Sequence, residues 1–230
     1  VSIFNGIDDF IKNSRTSLGD DEEFMDDDEL IFTNETKIDL KPYIYSVIVT
    51  NRPMKVIKKG AFAEEELLKE IKIPDSVVEI EESAFKDCPI LEKVQIGNSI
   101  THIAQNAFAW CNNIRYREHE NGYYLGNEAN PFVALIEVYE DVSSCCVHKT
   151  TQVIADDAFD VESDIAINEI DVENGNMHFK SVDGNLYSKD GTQLIEYVNV
   201  QDGILQIADE VVTISERAFN RGYISSIEVS

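Results

Sequence analysis

The sequence predicts an α/β, β-rich solenoid, a chain that coils so that short strands of successive coils stack into a parallel sheet. The main observation is a repeat, because IEESAFKDC at residues 80–88 returns as IAQNAFAWC at residues 103–111, 23 residues later. Ile57 and Phe62 stand one further period upstream. A fixed period in the twenties is typical of solenoids. Since one coil cannot bury its own apolar side chains, burial should come from stacking.

Period-two alternation marks the strand of each coil. Val94 and Ile96 flank Gln95, and Ile71 and Ile73 flank Lys72 one period earlier. This spacing predicts short strands with one buried face, stacked in a parallel sheet. Four later pairs follow the same rule: Cys145 with Val147, Ile170 with Val172, Leu205 with Ile207, and Ile227 with Val229.

The rest of each coil should return the chain to the next strand. Ile80 and Ile103 predict a second apolar edge, and we expect short helical turns at the Ala-Phe motifs that follow. Phe85 and Phe108 should stack as a central aromatic column of the core. The motif returns with disturbed spacing at VIADDAF (153–159) and TISERAF (213–219).

Four cysteines in 230 residues are too few for a disulfide scaffold. Cys88 and Cys111 occupy one repeat position in adjacent coils, where the spacing of parallel strands leaves a disulfide sterically conceivable. We expect buried, reduced thiols instead, because free cysteine behaves as a small hydrophobe. The CCVH stretch at 145–148 lacks the separated ligand pairs of a zinc site.

Two segments, 121–138 and 179–198, predict β-hairpins inserted into the array. Asp183-Gly184 and Asp190-Gly191 suit tight turns that need positive φ. Two spacing changes accompany the inserts, since DVESDIAI carries two extra residues and NRGYISSI one fewer. Arg117 and His119 fall where apolar strand residues are expected, so we expect a register shift that turns Ile114 and Tyr116 inward.

The full coil pattern resembles the BspA-like leucine-rich repeat family of bacterial proteins, over roughly residues 46–230. The resemblance implies a right-handed leucine-rich repeat solenoid, with hairpin inserts of the kind seen above. The matching positions are Ile71, Ile73, Pro74, Val77, Ile80, Ala84, Phe85, Cys88, Leu91 and Val94.

Residues 1–45 do not fit the repeat and form an acidic N-terminal segment. Ile3, Ile7 and Phe10 follow helical spacing, which predicts a short amphipathic helix that caps the first coil. The run GDDEEFMDDDE at 19–29 lacks the ligand spacing of a calcium-binding EF-hand, so a solvated acidic linker is the better interpretation.

Charge and missing motifs exclude several functions. A formal charge of −25 disfavours nucleic acid and anionic lipid and suits a cationic partner or calcium. The sequence has no apolar run long enough to insert into a membrane. It shows no nucleotide-binding glycine loop and no nucleophile signature, so no catalytic residue, cofactor or metal ligand is assigned.

These observations favour a non-catalytic interaction module with a protein or glycan partner. The resemblance implies a secreted or cell-surface bacterial protein with an adhesive role. Two alternatives stay open: a structural spacer beside another domain, and a parallel β-helix enzyme acting on polysaccharides. The residues expected on the interaction surface are Lys72, Gln95, Tyr116, Asp171 and Gln206.

Overall fold

A computed structural model describes residues 54–160, 165–198 and 204–219, together with the strands at 46–48 and 226–229. The predicted capping helix, the acidic run and the sequence up to residue 45 lie outside the described residues. In the described part, the chain is a solenoid of stacked short strands, and no helix in it is long and apolar enough to cross a membrane.

The first sheet is the predicted parallel stack. It consists of β1 (Ser46–Ile48), β3 (Glu70–Lys72) and β5 (Lys93–Gln95), which pair in the order β1-β3-β5. Ile71 lies opposite Val94 and Lys72 opposite Gln95, which is the expected offset of 23 residues. Ile71, Ile73, Val94 and Ile96 are buried, so the alternation confirms one core-facing side.

A second parallel ladder runs along another side of the coils. It contains β2 (Val56–Ile57), β4 (Glu79–Ile80) and β6 (His102–Ile103). Ile57 pairs with Ile80, and Ile80 pairs with Ile103. All three isoleucines are fully buried, so the second apolar edge of the sequence is a strand ladder that closes the core.

The expectation of helical turns at the Ala-Phe motifs is wrong. Residues on both sides of each motif have positive φ, which interrupts a right-handed helix. The two sets are Gly60, Ser83 and Asn106 before the motif (φ 64°, 56° and 59°), and Glu64, Asp87 and Trp110 after it (φ 63°, 59° and 64°).

In these turns, alternate backbone N–H groups donate to the neighbouring coil. The Phe62 N–H donates to the Ala84 carbonyl at 2.8 Å, and the Phe85 N–H donates to the Ala107 carbonyl at 2.8 Å. Helical turns would instead satisfy these groups within one coil. The Ala-Phe segments therefore form a third stacking ladder, which keeps their buried amides paired.

The aromatic column and the thiols lie as the repeat predicts. The rings of Phe62 and Phe85 stack at 5.1 Å, and those of Phe85 and Phe108 at 5.3 Å, each pair within 2° of parallel. Cys88 and Cys111 are buried and unbridged. Each thiol donates to a phenylalanine carbonyl of the preceding coil, Cys88 to Phe62 at 3.1 Å and Cys111 to Phe85 at 2.9 Å.

The first insert is a hairpin, as predicted. β8 (Gly122–Leu125) pairs antiparallel with β7 (Arg117–His119) and with β9 (Ala134–Val138), and β9 joins β11 (Val153–Ile154) in parallel. Ile114 is buried and Tyr116 is half-buried, while Arg117 is exposed. The predicted register shift at this coil is therefore confirmed.

The second insert is an antiparallel ribbon of β13 (Phe179–Val182), β14 (Asn185–Ser188) and β15 (Gln193–Glu196). Its first turn has Asp183 at φ 50° and Gly184 at φ 79°, as the sequence predicted. Gly191 has φ 84° in the second turn. β15 then pairs in parallel with β17 (Thr213–Ile214), which attaches the insert to the next coil.

Two further strand pairs confirm the predicted spacing changes. β10 (Ser144–Val147) pairs with β12 (Glu169–Val172), with Ser144 opposite Glu169, an offset of 25 residues. β16 (Ile204–Ile207) pairs with β18 (Ser226–Val229), with Ile204 opposite Ser226, an offset of 22 residues. Cys145 and Val147 are buried and Cys146 is half-buried, as the alternation requires.

Candidate interaction surface

The outer face of the first sheet brings two of the predicted surface residues together. Lys72 is exposed and Gln95 is half-buried, and they lie opposite each other on neighbouring strands. Their neighbours Ile71 and Val94 point the other way into the core. The alternation of the strand therefore separates a core row from a surface row on the same few residues.

Charged side chains pair across coils beside this face. Glu92 lies between two cations, with Lys69 at 3.8 Å on one side and Arg115 at 2.9 Å on the other. Lys93 lies 3.7 Å from Glu70. Each of these side chains is about one-third exposed or more, so each ion pair contributes little to stability. Their effect is a surface of alternating charge within a strongly acidic protein.

The other three predicted surface residues lie elsewhere. Tyr116 is half-buried against the core, with its ring 5.4 Å from that of Tyr123, and burial raises its pKa. Asp171 is exposed on β12, opposite Cys146. Gln206 lies on β16, and its side chain is outside the described residues. Among the predicted surface residues whose side chains the structure describes, Lys72 and Gln95 are the two that share one face of a sheet.

Aromatic side chains on the surface could contribute to adhesion, and among Trp110, Tyr116, Tyr123 and Tyr124 the most exposed is Trp110. Tyr124 is buried, and its hydroxyl donates to the Cys146 carbonyl at 3.3 Å. The Tyr123 ring packs against Tyr139 at 4.4 Å. Trp110 remains 67% exposed. The tyrosines thus fix the insert to the coils, and Trp110 is left to the solvent.

A groove of about 600 Å³ runs along the second ladder and was not foreseen from the sequence. His102 lies in it, with Nδ1 3.2 Å from the Glu79 carboxylate and Nε2 2.9 Å from the Asp156 carboxylate. Burial opposes protonation of this ring, but the two carboxylates outweigh it and raise the pKa of His102. Contacts at both nitrogens suit the doubly protonated imidazolium.

The far wall of this groove joins distant coils. Arg217 donates to Gln105 Oε1 at 2.7 Å and pairs with Asp160. The Asn106 N–H donates to Asp157 at 2.6 Å. Burial raises the pKa of Asp157. These residues tie the second ladder to coils on both sides of the two inserts.

A second, open cavity of about 580 Å³ lies beside the first insert. Phe132 stacks on His148 at 4.2 Å, and the His148 ring lies edge-on to His119 at 4.8 Å. Burial lowers the pKa of His148, and His119 adds to this against the opposing charge of Glu173. The two histidines therefore pack against the insert, and His119 Nε2 also lies 3.2 Å from the Glu173 carboxylate.

Cys145 and Cys146 have the properties of structural thiols. Burial raises the pKa of Cys145 to about 12 and that of Cys146 to about 11. A thiol at such a pKa is almost wholly protonated near neutral pH and is a poor nucleophile or metal ligand. Within the described residues, no cluster of three or more His, Cys, Asp or Glu side chains could hold a metal ion.

Comparison with known proteins supports the repeat. Residues 42–131 match the model of the BspA type Leucine rich repeat region, in 6 copies. No curated protein sequence matches the chain.

Several solved structures are similar in part. The pneumococcal vaccine antigen PcpA is 25% identical, with a TM-score of 0.37, over 77% of this chain and 37% of that protein. A leucine-rich repeat protein from Eubacterium ventriosum is 15% identical, with a TM-score of 0.34, over 80% of this chain and 50% of its own. The T. pallidum leucine-rich repeat protein is 14% identical, with a TM-score of 0.34, over 80% of this chain and 68% of its own.

The chain thus spans half or less of the length of the first two solved relatives. The match to the family model, together with the 23-residue register and the stacked Ala-Phe-x-x-Cys turns, confirms the resemblance inferred from the sequence. Residues 42–131 match a BspA type Leucine rich repeat region, and this part of the chain is similar to that repeat family.

Proposed function

We propose that the chain is a non-catalytic interaction module that presents an extended surface of stacked coils to another macromolecule. The alternation on β3 and β5 carries this proposal, because Ile71 and Val94 hold the core while Lys72 and Gln95 face outward. Outward residues that the core does not need are free to be adapted to a partner.

The partner is an extracellular protein or glycan, and the protein acts at the surface of a bacterium or after secretion from it, in an adhesive role. The match of residues 42–131 to a bacterial repeat family supports this setting. The interaction surface is the outer face of the first sheet around Lys72 and Gln95.

Charge shapes the choice of partner. The chain carries a formal charge of −25, whereas Lys69, Lys93 and Arg115 lie beside the outer face with their carboxylate neighbours. A field of this size attracts cationic partners and weakens as salt screens it. Binding should therefore be salt-sensitive.

The chemistry of the thiols supports a role without catalysis. Cys145 and Cys146 are held protonated by burial. His102 is engaged by two carboxylates and is therefore poorly placed to act as a free base. These features favour binding over turnover.

The test is binding of the purified chain to an array of extracellular-matrix proteins and glycans at low and high salt, with a hydrolysis and elimination screen of the same glycans alongside. Saturable, salt-sensitive binding without turnover is the expected result. Turnover of a glycan would support the enzyme alternative. Neither binding nor turnover in these assays would favour the alternative that the chain is a structural spacer.

A further inference from the structure

Trp110 is the one tryptophan of the chain, and it is 67% exposed. A large apolar ring in water is unfavourable in the free protein, and burial in a complex recovers that free energy. Tryptophan is also among the residues most enriched at the energetic centres of interfaces. The side chain is therefore a candidate for contact with a partner.

The position of Trp110 in its coil shows that the fold does not require the ring. Glu64, Asp87 and Trp110 occupy one repeat position, each exposed and each with positive φ. Asparagine and aspartate tolerate this backbone region well, whereas a bulky aromatic residue there is an outlier. The two preceding coils hold the same turn with carboxylates.

Stacking places these three residues in a column, here called the turn edge (Glu64, Asp87 and Trp110). The Glu64 N–H donates to the Lys86 carbonyl at 2.8 Å, and the Asp87 N–H donates to the Ala109 carbonyl at 2.9 Å. These bonds fix neighbouring coils at the turn edge, so two carboxylates and one indole ring project from adjacent coils. Ile90, three residues after Asp87, adds an exposed apolar side chain.

The ion pair between Lys86 and Asp87 is weak. Lys86 Nζ lies 4.0 Å from the Asp87 carboxylate, and the two side chains are 42% and 47% exposed. A pair at this distance and exposure contributes little. A cation from a partner can therefore compete for Asp87 while its other face contacts the Trp110 ring.

We propose that the turn edge binds a lysine- or arginine-bearing segment of a protein partner. The cation lies over the face of Trp110, where the ring quadrupole attracts it. Asp87 pairs with its N–H groups, a contact that arginine makes best because its guanidinium is planar and forked. This inference deepens the proposed function, since it names the chemistry of the partner.

The single tryptophan makes the binding directly observable. A capped hexa-arginine peptide is titrated into the chain while Trp110 emission is followed, with hexa-glutamate and Gly/Ser peptides of equal length as controls. We expect a saturable change in emission with hexa-arginine, weakened by salt, and none with the controls. No change with hexa-arginine up to millimolar concentration would overturn the inference.

Variants can distinguish binding at the turn edge from the general attraction of a cationic peptide to an acidic protein. The affinity of a dye-labelled hexa-arginine peptide is measured by anisotropy, which does not need the tryptophan. Asp87→Asn and Trp110→Asn keep a residue that accepts positive φ, and each should weaken binding about two- to fivefold. Glu128→Gln removes one charge at an exposed position of the first insert and should leave the affinity within error of wild type.

Equal weakening by Glu128→Gln and Asp87→Asn would contradict a site at the turn edge, because it would show a response to net charge alone. The array of matrix proteins and glycans distinguishes this failure from failure of the proposed function. If Trp110→Asn binds its array partner as wild type does, the turn edge is not the contact and the interaction module stands. If the wild type binds no array partner but hexa-arginine binding depends on Trp110, the turn edge stands without the matrix role.

Discussion

The coils at residues 54–111 and the coil at residues 204–219 use the same motif with different results. In the first region, Phe62, Phe85 and Phe108 stack within 2° of parallel at about one coil spacing. In the second, Phe219 is half-buried and meets Tyr197 at 62° and 5.8 Å. An unbroken 23-residue period therefore gives a continuous column, whereas the later motif packs on its insert.

The strands show the same contrast. Ile57, Ile80 and Ile103 pair with one another and are fully buried, while Ile214 is 41% exposed on β17. β17 pairs with β15 of the second insert. A separate small cluster of Tyr187, Leu194, Tyr197, Ile207 and Ala218 supports this part of the chain. The inserts thus divide the solenoid into a main core and a smaller one.

The largest effect we expect comes from removing a ring of the column. Phe85→Ala should lower the free energy of unfolding by about 3–5 kcal/mol, because the ring is fully buried between two others. Phe219→Ala should cost roughly half as much, since that ring is half-buried. Denaturant unfolding of both variants measures the difference, and equal losses would erase the contrast between the two regions.

Loss of a stacked thiol should have a moderate effect. Cys111→Ala removes the donor 2.9 Å from the Phe85 carbonyl and leaves that buried acceptor without it. We expect a loss of about 1–2 kcal/mol in unfolding free energy. Cys146→Ala, at a half-buried position, is the matched control and should cost less. Similar losses for both would argue against a stacking role for the Cys111 thiol.

The bridge at His102 should make stability depend on pH. Its pKa is raised in the folded chain, so the native state holds the proton more tightly than the unfolded state. The stabilisation is complete below the unfolded pKa of about 6.5 and is lost as pH rises through the higher folded pKa. Unfolding midpoints of wild type and His102→Gln, measured upward from pH 6, should converge as pH rises. A constant difference between them would contradict the imidazolium bridge.

The smallest effect is expected on the outer face. Gln95→Ala should change the unfolding free energy by less than about 0.5 kcal/mol, because the side chain faces outward and the core row is intact. Denaturant unfolding gives the value, with Phe85→Ala as the reference. A loss comparable to that reference would place Gln95 in the core.

Most of the fold could be predicted from the repeat in the sequence. The register of β3 with β5, the phenylalanine column, the reduced thiols, the hairpins and both spacing changes follow from residues within one or two periods of each other. The turns at Ala-Phe were mistaken for helical ones, because apolar spacing does not report the sign of φ. Gly60 and Asn106, both tolerant of positive φ, were the available signal.

The groove could not be foreseen in the same way. His102 meets Asp156 across 54 residues and Arg217 meets Gln105 across 112 residues. These contacts depend on how each insert turns the following coils, which no period in the sequence encodes. Of the predicted surface residues, Lys72 and Gln95 came together because they share the 23-residue register.

The most direct test measures both unfolding and binding of the double variant Lys72→Ala/Gln95→Ala. It asks whether the residues that bind a partner differ from the residues that stabilise the fold. We expect an unfolding midpoint close to that of wild type and a several-fold weaker affinity for the matrix protein or glycan that the wild-type chain binds. An unfolding midpoint that falls toward that of Phe85→Ala, with affinity unchanged, would contradict the separation of core and interaction surface.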